Sequence, residues 1–188
     1  MTVADIQQRL SERGYNPGPI DGKFGPLTEA AIMAAISVAP KSALQIQSHD
    51  EPPWLTLARA ELGVREVPGS GNNPRVVDYF ADAAHPEIKR DSVYWCAAFV
   101  GAMLKRAGIE PSGSLMARSY LNWGIELKEP RVGCIVVFKR GAPPSGHVAF
   151  YLGGSIKVLG GNQSDAVTIA TYRRSSLLGF RWPKGVKQ

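Results

Sequence analysis

From Gly133 onward the chain breaks into five short runs, GCIVVF, HVAFYLG, SIKVLGG, AVTIATY and LLGFRW, separated by turn signals such as GAPPSG, GG and NQSD. Short runs rich in Val, Ile and aromatic residues between such signals are strands. The segments just upstream have a different period. WLTLARAELG places Leu55, Ala58 and Leu62 on one helical face and stops at Gly63, and VVDYFADAA reads as a further helix. CAAFVGAMLKRAG carries Phe99, Val100, Met103, Leu104 and Ala107 as a buried stripe and stops at Gly108. Helices followed by a strand meander predict an α+β domain in which helices pack on an antiparallel sheet.

The first forty residues form a smaller pattern. Val3, Ile6 and Leu10 share a face of a helix over residues 3–14, Thr2 and Asp5 have capping-box spacing, and Gly14 ends it. A loop dense in Gly, Pro and Asp follows, and a second helix starts near Pro26 and runs through LTEAAIMAAI. From Ser37 to Pro53 the periodicity fades into Pro, Ser and acidic residues. The expected organisation is a small all-α module over 1–38, a linker over 39–53 and the α+β domain over 54–188.

The charge is as uneven as the periodicity. Residues 1–40 hold three basic and four acidic residues, whereas 53–188 hold eighteen basic against ten acidic, a surplus of eight. That bias favours an anionic partner. Aromatic residues are not interleaved with the basic ones as on a base-stacking surface, so nucleic acid is not the expected partner. No apolar run approaches the ~20 residues of a membrane span, so stable membrane insertion is not expected either. The N-terminus, MTVADIQQRL, lacks the basic and apolar regions of a secretory signal, which predicts synthesis in, and initial residence in, the host cytoplasm. The chain is expected to work as a monomer.

Two cysteines without CxxC spacing suggest neither a disulfide framework nor a metal site, and no metal or organic cofactor is expected. Cys96 stands at a helix start behind Tyr94 and Trp95, where unpaired backbone N–H groups and the helix dipole favour thiolate. A buried cysteine is commonly just a small hydrophobe, so position alone leaves both roles open. His49 falls in the linker and His85 in a polar loop, but His147 opens a strand directly after the turn Gly141 to Gly146. If the next strand pairs with it, the end of SIKVLGG brings Asn162, with Gln163 as rival, beside that imidazole. Thiolate, imidazole and a polar group that fixes the imidazole are what amide cleavage through a thioester requires.

The residues carry two resemblances. GYNPGPIDGKFGPLTEAAI resembles the peptidoglycan-binding module, whose Gly-Tyr and Asp-Gly-x-Phe-Gly-x-x-Thr positions are filled by Gly14, Tyr15, Asp21, Gly22, Phe24, Gly25 and Thr28. Asp21-Gly22 suits a tight turn, Phe24 is expected to plug the gap between the two helices, and the resemblance implies a wall-binding role for Tyr15, Asp21, Phe24 and Thr28. WCAAFV, GCIVVFKR, SGHVAFYLG and IKVLGGNQSDAV are similar to the CHAP and NlpC/P60 group of papain-like peptidoglycan hydrolases. That resemblance implies a catalytic trio of Cys96, His147 and Asn162. Gln163 is the alternative third residue, and the Cys96 N–H and Tyr94 are candidates for the oxyanion. One departure is Cys134, where relatives carry an acidic residue, and it reads as a packed strand residue. The implied substrate is bacterial peptidoglycan and the implied setting is a phage endolysin. An injected wall-degrading effector and an inactive wall-binding protein are the alternatives.

Overall fold

The computed structural model describes residues 2–12, 14–37 and 51–187 and separates into two compact units, Met1–Asp50 and Glu51–Gln188. In the first, α1 (Val3–Glu12) and α2 (Pro26–Ser37) are joined by an extended loop. The capping box forms as expected: Thr2 N–H donates to Asp5 Oδ2 at 2.7 Å and Asp5 N–H to Thr2 Oγ1 at 3.2 Å. Gly14, at φ 82°, turns the chain out of α1, and Pro26 occupies the first position of α2.

Gln7, 1% exposed, joins the helices to the loop between them. Its Nε2 donates to Asp21 Oδ1, the Lys23 carbonyl and Thr28 Oγ1 at 3.2, 3.0 and 3.1 Å, while its Oε1 accepts from the Gly22 N–H at 2.9 Å. Thr28, also buried, donates to the Pro17 carbonyl. Phe24 is 60% exposed, which corrects the expectation that it fills the gap between helices. A carboxamide able to satisfy loop N–H and C=O groups occupies that place, because the irregular loop has backbone polar groups that an aromatic ring could not pair.

The second unit contains α3 (Pro53–Ala60), α4 (Pro74–Asp82) and α5 (Cys96–Arg106), then β1 (Ile125–Leu127), β2 (Ile135–Lys139), β3 (Gly146–Gly153), β4 (Lys157–Gly160), β5 (Thr168–Thr171) and β6 (Leu177–Trp182). The six strands form one antiparallel sheet in the order β1-β6-β2-β3-β4-β5. All five strand-like runs of the sequence are strands. The sixth, β1, is a three-residue strand at the sheet's end with too little pattern to be read. Most of the expected linker 39–53 lies outside the described residues, but Pro53 is the first residue of α3 and Pro52 is buried against Gly133. Trp54 donates from its indole to the Gly133 carbonyl at 2.8 Å and meets Trp182 edge-on.

Helix α5 is buried from Cys96 through Leu104 rather than along one stripe, because α3, α4 and β3 all pack on it. Three bonds fix the approach to it: Trp95 donates to Glu66 Oε1 at 2.6 Å, and Asp91 accepts from the N–H groups of Val67 and Asn73 at 2.8 Å. Glu61 ties α4 and α5 together through Arg75, Tyr79 and Arg106. Leu62 is 42% exposed because α3 ends at Ala60 and the helical face it was expected to share stops short of it. Among the described residues no helix is long and apolar enough to cross a membrane, and no cluster of His, Cys, Asp and Glu could hold a metal ion.

Candidate active site

Cys96 is the first residue of α5, with Trp95 as its N-cap residue and its side chain almost wholly buried. The backbone N–H groups of Val148, Ala97 and Cys96 itself and the charge of Arg140 act to favour thiolate. Burial is the larger effect and pushes the thiol above its ordinary range. The helix start therefore acts in the expected direction, but the expectation of a resting thiolate is corrected: desolvation outweighs the helix N–H groups.

The helix that begins at Cys96 packs on β3, the strand that carries His147. That histidine is fully buried on β3, pairs across the sheet with Phe138 on β2, and lies nearly parallel to the Tyr172 ring at 5.2 Å. Burial holds its pKa down to about 4, partly offset by the hydrogen bond its ring donates to Gln163 and reinforced by Arg140. Burial thus favours the neutral form of both side chains.

Gln163 is the residue that reaches the ring, its Oε1 lying 3.2 Å from His147 Nε2. No hydrogen bond joins Asn162 to His147 among the described residues, so the expectation that Asn162 fixes the ring is corrected in favour of its neighbour. The reason lies in strand alternation. A Cβ on Gly160 would sit 3.2 Å from His147 Nε2, so a continuing strand would present residue 162 to the same ring. Asn162 instead adopts φ 55°, which breaks the alternation and brings Gln163 round. Gly161 is required here, because its Cβ would lie 2.5 Å from the Trp95 ring and 2.6 Å from Phe99 Cβ.

Thr168, which no sequence pattern singled out, orients the carboxamide. Gln163 Nε2 donates to the Thr168 carbonyl at 2.6 Å and to its hydroxyl at 3.2 Å. A carbonyl only accepts, so the amide nitrogen must face Thr168 and the amide oxygen must face His147. That oxygen accepts from Nε2–H, which leaves Nδ1 as the bare nitrogen of the neutral ring. Nδ1 is buried and, among the described residues, has no hydrogen-bond partner, the Cys96 sulfur included.

The other expected residues take simpler places. Tyr94 is 82% exposed and lines a cleft of about 520 Å³ that also contains Cys96, Met116 and Arg140. Cys134 is fully buried just before β2, with its thiol pushed up to about 12 by burial, as befits a packing residue. His85 is engaged with Glu87, and His49 lies outside the described residues. In the first unit Asp21 is exposed, its carboxyl lowered by the Lys23 N–H and by Gln7, while Tyr15 is half-buried.

Comparison with known proteins gives two family matches. Residues 2–35 match the family described as "Putative peptidoglycan binding domain", and residues 88–162 match the CHAP domain. Cys96, His147 and Asn162 fall inside the second match, and Gln163 lies one residue beyond it. Similar solved structures include the P60 domain of an antigen from M. avium paratuberculosis, at 14% identity and TM-score 0.44, covering 68% of this chain and 87% of that one. A Staphylococcus aureus protein of the NLP/P60 family is similar at 17% identity and TM-score 0.46, covering 98% of this chain and 63% of that one. The Mycobacterium tuberculosis peptidoglycan hydrolase RipB is similar at 19% identity and TM-score 0.44, covering 95% and 78%. No curated protein matches the chain.

Proposed function

We propose that this chain, which carries a peptidoglycan-binding domain over 2–35 and a CHAP domain over 88–162, is a cysteine hydrolase that cleaves an amide of peptidoglycan through a thioester. The observation that carries the reading is the Thr168–Gln163–His147 relay, which leaves one bare imidazole nitrogen on the strand against which the helix of Cys96 packs.

Chemistry follows from that protonation state. Burial disfavours a standing ion pair, so His147 Nδ1 takes the Cys96 proton as the sulfur attacks the amide carbonyl. The resulting imidazolium donates that proton to the departing amine, leaving the acyl group on sulfur. In the second half His147 removes a proton from water, which attacks the thioester, and the proton returns to the sulfur as the acid leaves. Gln163 accepts from Nε2–H throughout and holds the ring in one tautomer. The Cys96 N–H, and Tyr94 at the cleft mouth, are the proposed oxyanion donors.

The α-helical module is proposed to hold the enzyme on the wall through Tyr15, Asp21, Phe24 and Thr28. Of these, Phe24 is the exposed contact, while Thr28 acts by shaping the loop. Joining a wall-binding domain to a murein hydrolase is the construction of a phage endolysin, and that is the role proposed. Digestion of purified murein tests the core of the reading. The wild type is expected to release soluble fragments bearing new amines and carboxyls, whose masses identify a muramoyl–alanine, stem-peptide or cross-bridge cut. A Cys96→Ala variant is expected to bind murein and release nothing. Equal release by both proteins would sink the mechanism, and binding without release by both would leave a wall-binding protein.

A further inference from the structure

The cleft beside Cys96 is walled largely by apolar groups, among them Leu115, Met116, Ala117 and Pro144, and among the described residues Arg140 is the one charged residue lining it. Arg140 follows Lys139, the last residue of β2, and Lys139 pairs with Gly146 at the start of β3. The next pair inward is Phe138 with His147, so the hairpin itself holds Arg140 at a fixed remove from the imidazole. The guanidinium is exposed, and among the described residues no carboxylate pairs with it. Arg65, Arg90 and Arg173 likewise show no carboxylate partner among the described residues, so Arg140 is set apart by its place in the cleft.

We propose that Arg140 is a specificity-determining residue that binds a carboxylate of the peptidoglycan stem peptide, so that the cleft selects stem peptides with free carboxylates over amidated ones. This rests on the hydrolase reading and deepens it. A planar guanidinium receives a carboxylate through two parallel hydrogen bonds, and it does so more strongly beside apolar walls than in open water. Stem peptides offer the matching pattern, with alanine methyl groups for Leu115 and Met116 next to acidic residues whose carboxyl is either free or converted to an amide. An amide presents an N–H₂ group to the cation in place of one oxygen and carries no charge. Arg140 also influences the reacting pair, since its charge favours thiolate at Cys96 and opposes protonation of His147. A bound carboxylate would soften both effects.

The test compares two synthetic muramyl peptides that are identical except that the stem carboxylates are free in one and amidated in the other. Values of kcat/KM are measured on the full chain for the wild type, Arg140→Gln, Arg140→Lys and Cys96→Ala. The wild type is expected to prefer the free-carboxylate peptide about tenfold, chiefly in KM, the size of one charge-assisted contact. In Arg140→Gln the ratio falls to near one, whatever happens to the rate common to both peptides, and in Arg140→Lys part of the preference survives because charge remains without the planar fork. A ratio equal in the wild type and Arg140→Gln, with both peptides cleaved, would overturn the inference and leave the hydrolase reading intact. Release by the wild type no greater than by Cys96→Ala on either peptide would overturn both.

Discussion

The two units solve the problem of holding a fold in opposite ways. Among its described residues the N-terminal unit has two short helices and relies on one buried carboxamide, Gln7, to bind the loop between them, while Ile20, Phe24 and Leu27 stay exposed. The second unit buries Trp54, Trp95, Phe99, Phe138 and Phe150 in a continuous apolar core and admits polar side chains at few points. A chain segment this small has little apolar surface to remove from water, so hydrogen bonds to otherwise unpaired backbone decide its shape. A large core can instead strand a histidine away from water, which is how His147 comes to be neutral. In the first unit polarity holds the fold, and in the second the fold holds the polar groups where chemistry needs them.

The largest effect that would sharpen this contrast is on activity alone. Cys96→Ala is expected to lower murein hydrolysis by a factor on the order of 10⁴ or more, with thermal unfolding of the catalytic unit nearly unchanged, because the thiol is small and the surrounding core is not. Calorimetry beside a turnover assay checks both. A large loss of stability would mean that Cys96 is mainly a packing residue.

Acid should separate the two units. His147 has its pKa lowered to about 4 from 6.5, so the unfolded chain binds the extra proton first as pH falls. The associated stability is complete above pH 6.5 and is lost as pH falls through the folded value near 4, a loss on the order of 3 kcal/mol. Asp21, in the module, has its carboxyl lowered below 3.8, so its contribution is kept until lower pH. A pH series of calorimetric scans should therefore show the catalytic transition dropping first. The same titration sets the acid limb of activity: kcat/KM rises as His147 loses its proton, and the alkaline limb falls as the buried Cys96 thiol ionises above its ordinary range.

The converse break falls on the module. Gln7→Leu should cost the first unit about 2 to 3 kcal/mol, since the loop N–H and C=O groups it satisfies lose their partner. Pull-down on purified murein should weaken, while cleavage of a soluble muropeptide continues. If wall binding survives and turnover falls, the division of labour between the units is wrong.

Smaller effects distinguish the residues around the imidazole. Gln163→Ala is expected to lower kcat about 10 to 100-fold and move the acid limb to lower pH, because the hydrogen bond it removes raises the His147 pKa. Asn162→Gly should cost less than about threefold, since glycine adopts φ 55° without strain and no bond to His147 is lost. Reversed magnitudes would restore Asn162 to the third position.

The sequence determined the elements and the chemistry-bearing residue types. Helix stops at Gly14 and Gly108, the Thr2–Asp5 cap and five alternating or apolar strand runs are local signals, set by steric limits on φ and by side chains within a turn of each other. Cys96 and His147 could be singled out as candidates because each sits at the start of a regular element. The residue that bonds the imidazole could not. Whether residue 162 or 163 meets His147 depends on a single left-handed residue after Gly160-Gly161, and that turn is imposed by the close approach of Trp95 and Phe99 from another part of the chain. Nor could spacing show that Thr168 orients the amide, that Gln7 rather than Phe24 binds the module's loop, or that Arg140 lines the cleft without a carboxylate partner. The protonation states were equally out of reach, since a helix start argues for thiolate from local dipoles. Desolvation reverses that argument only after α3, α4 and β3 have closed over the helix.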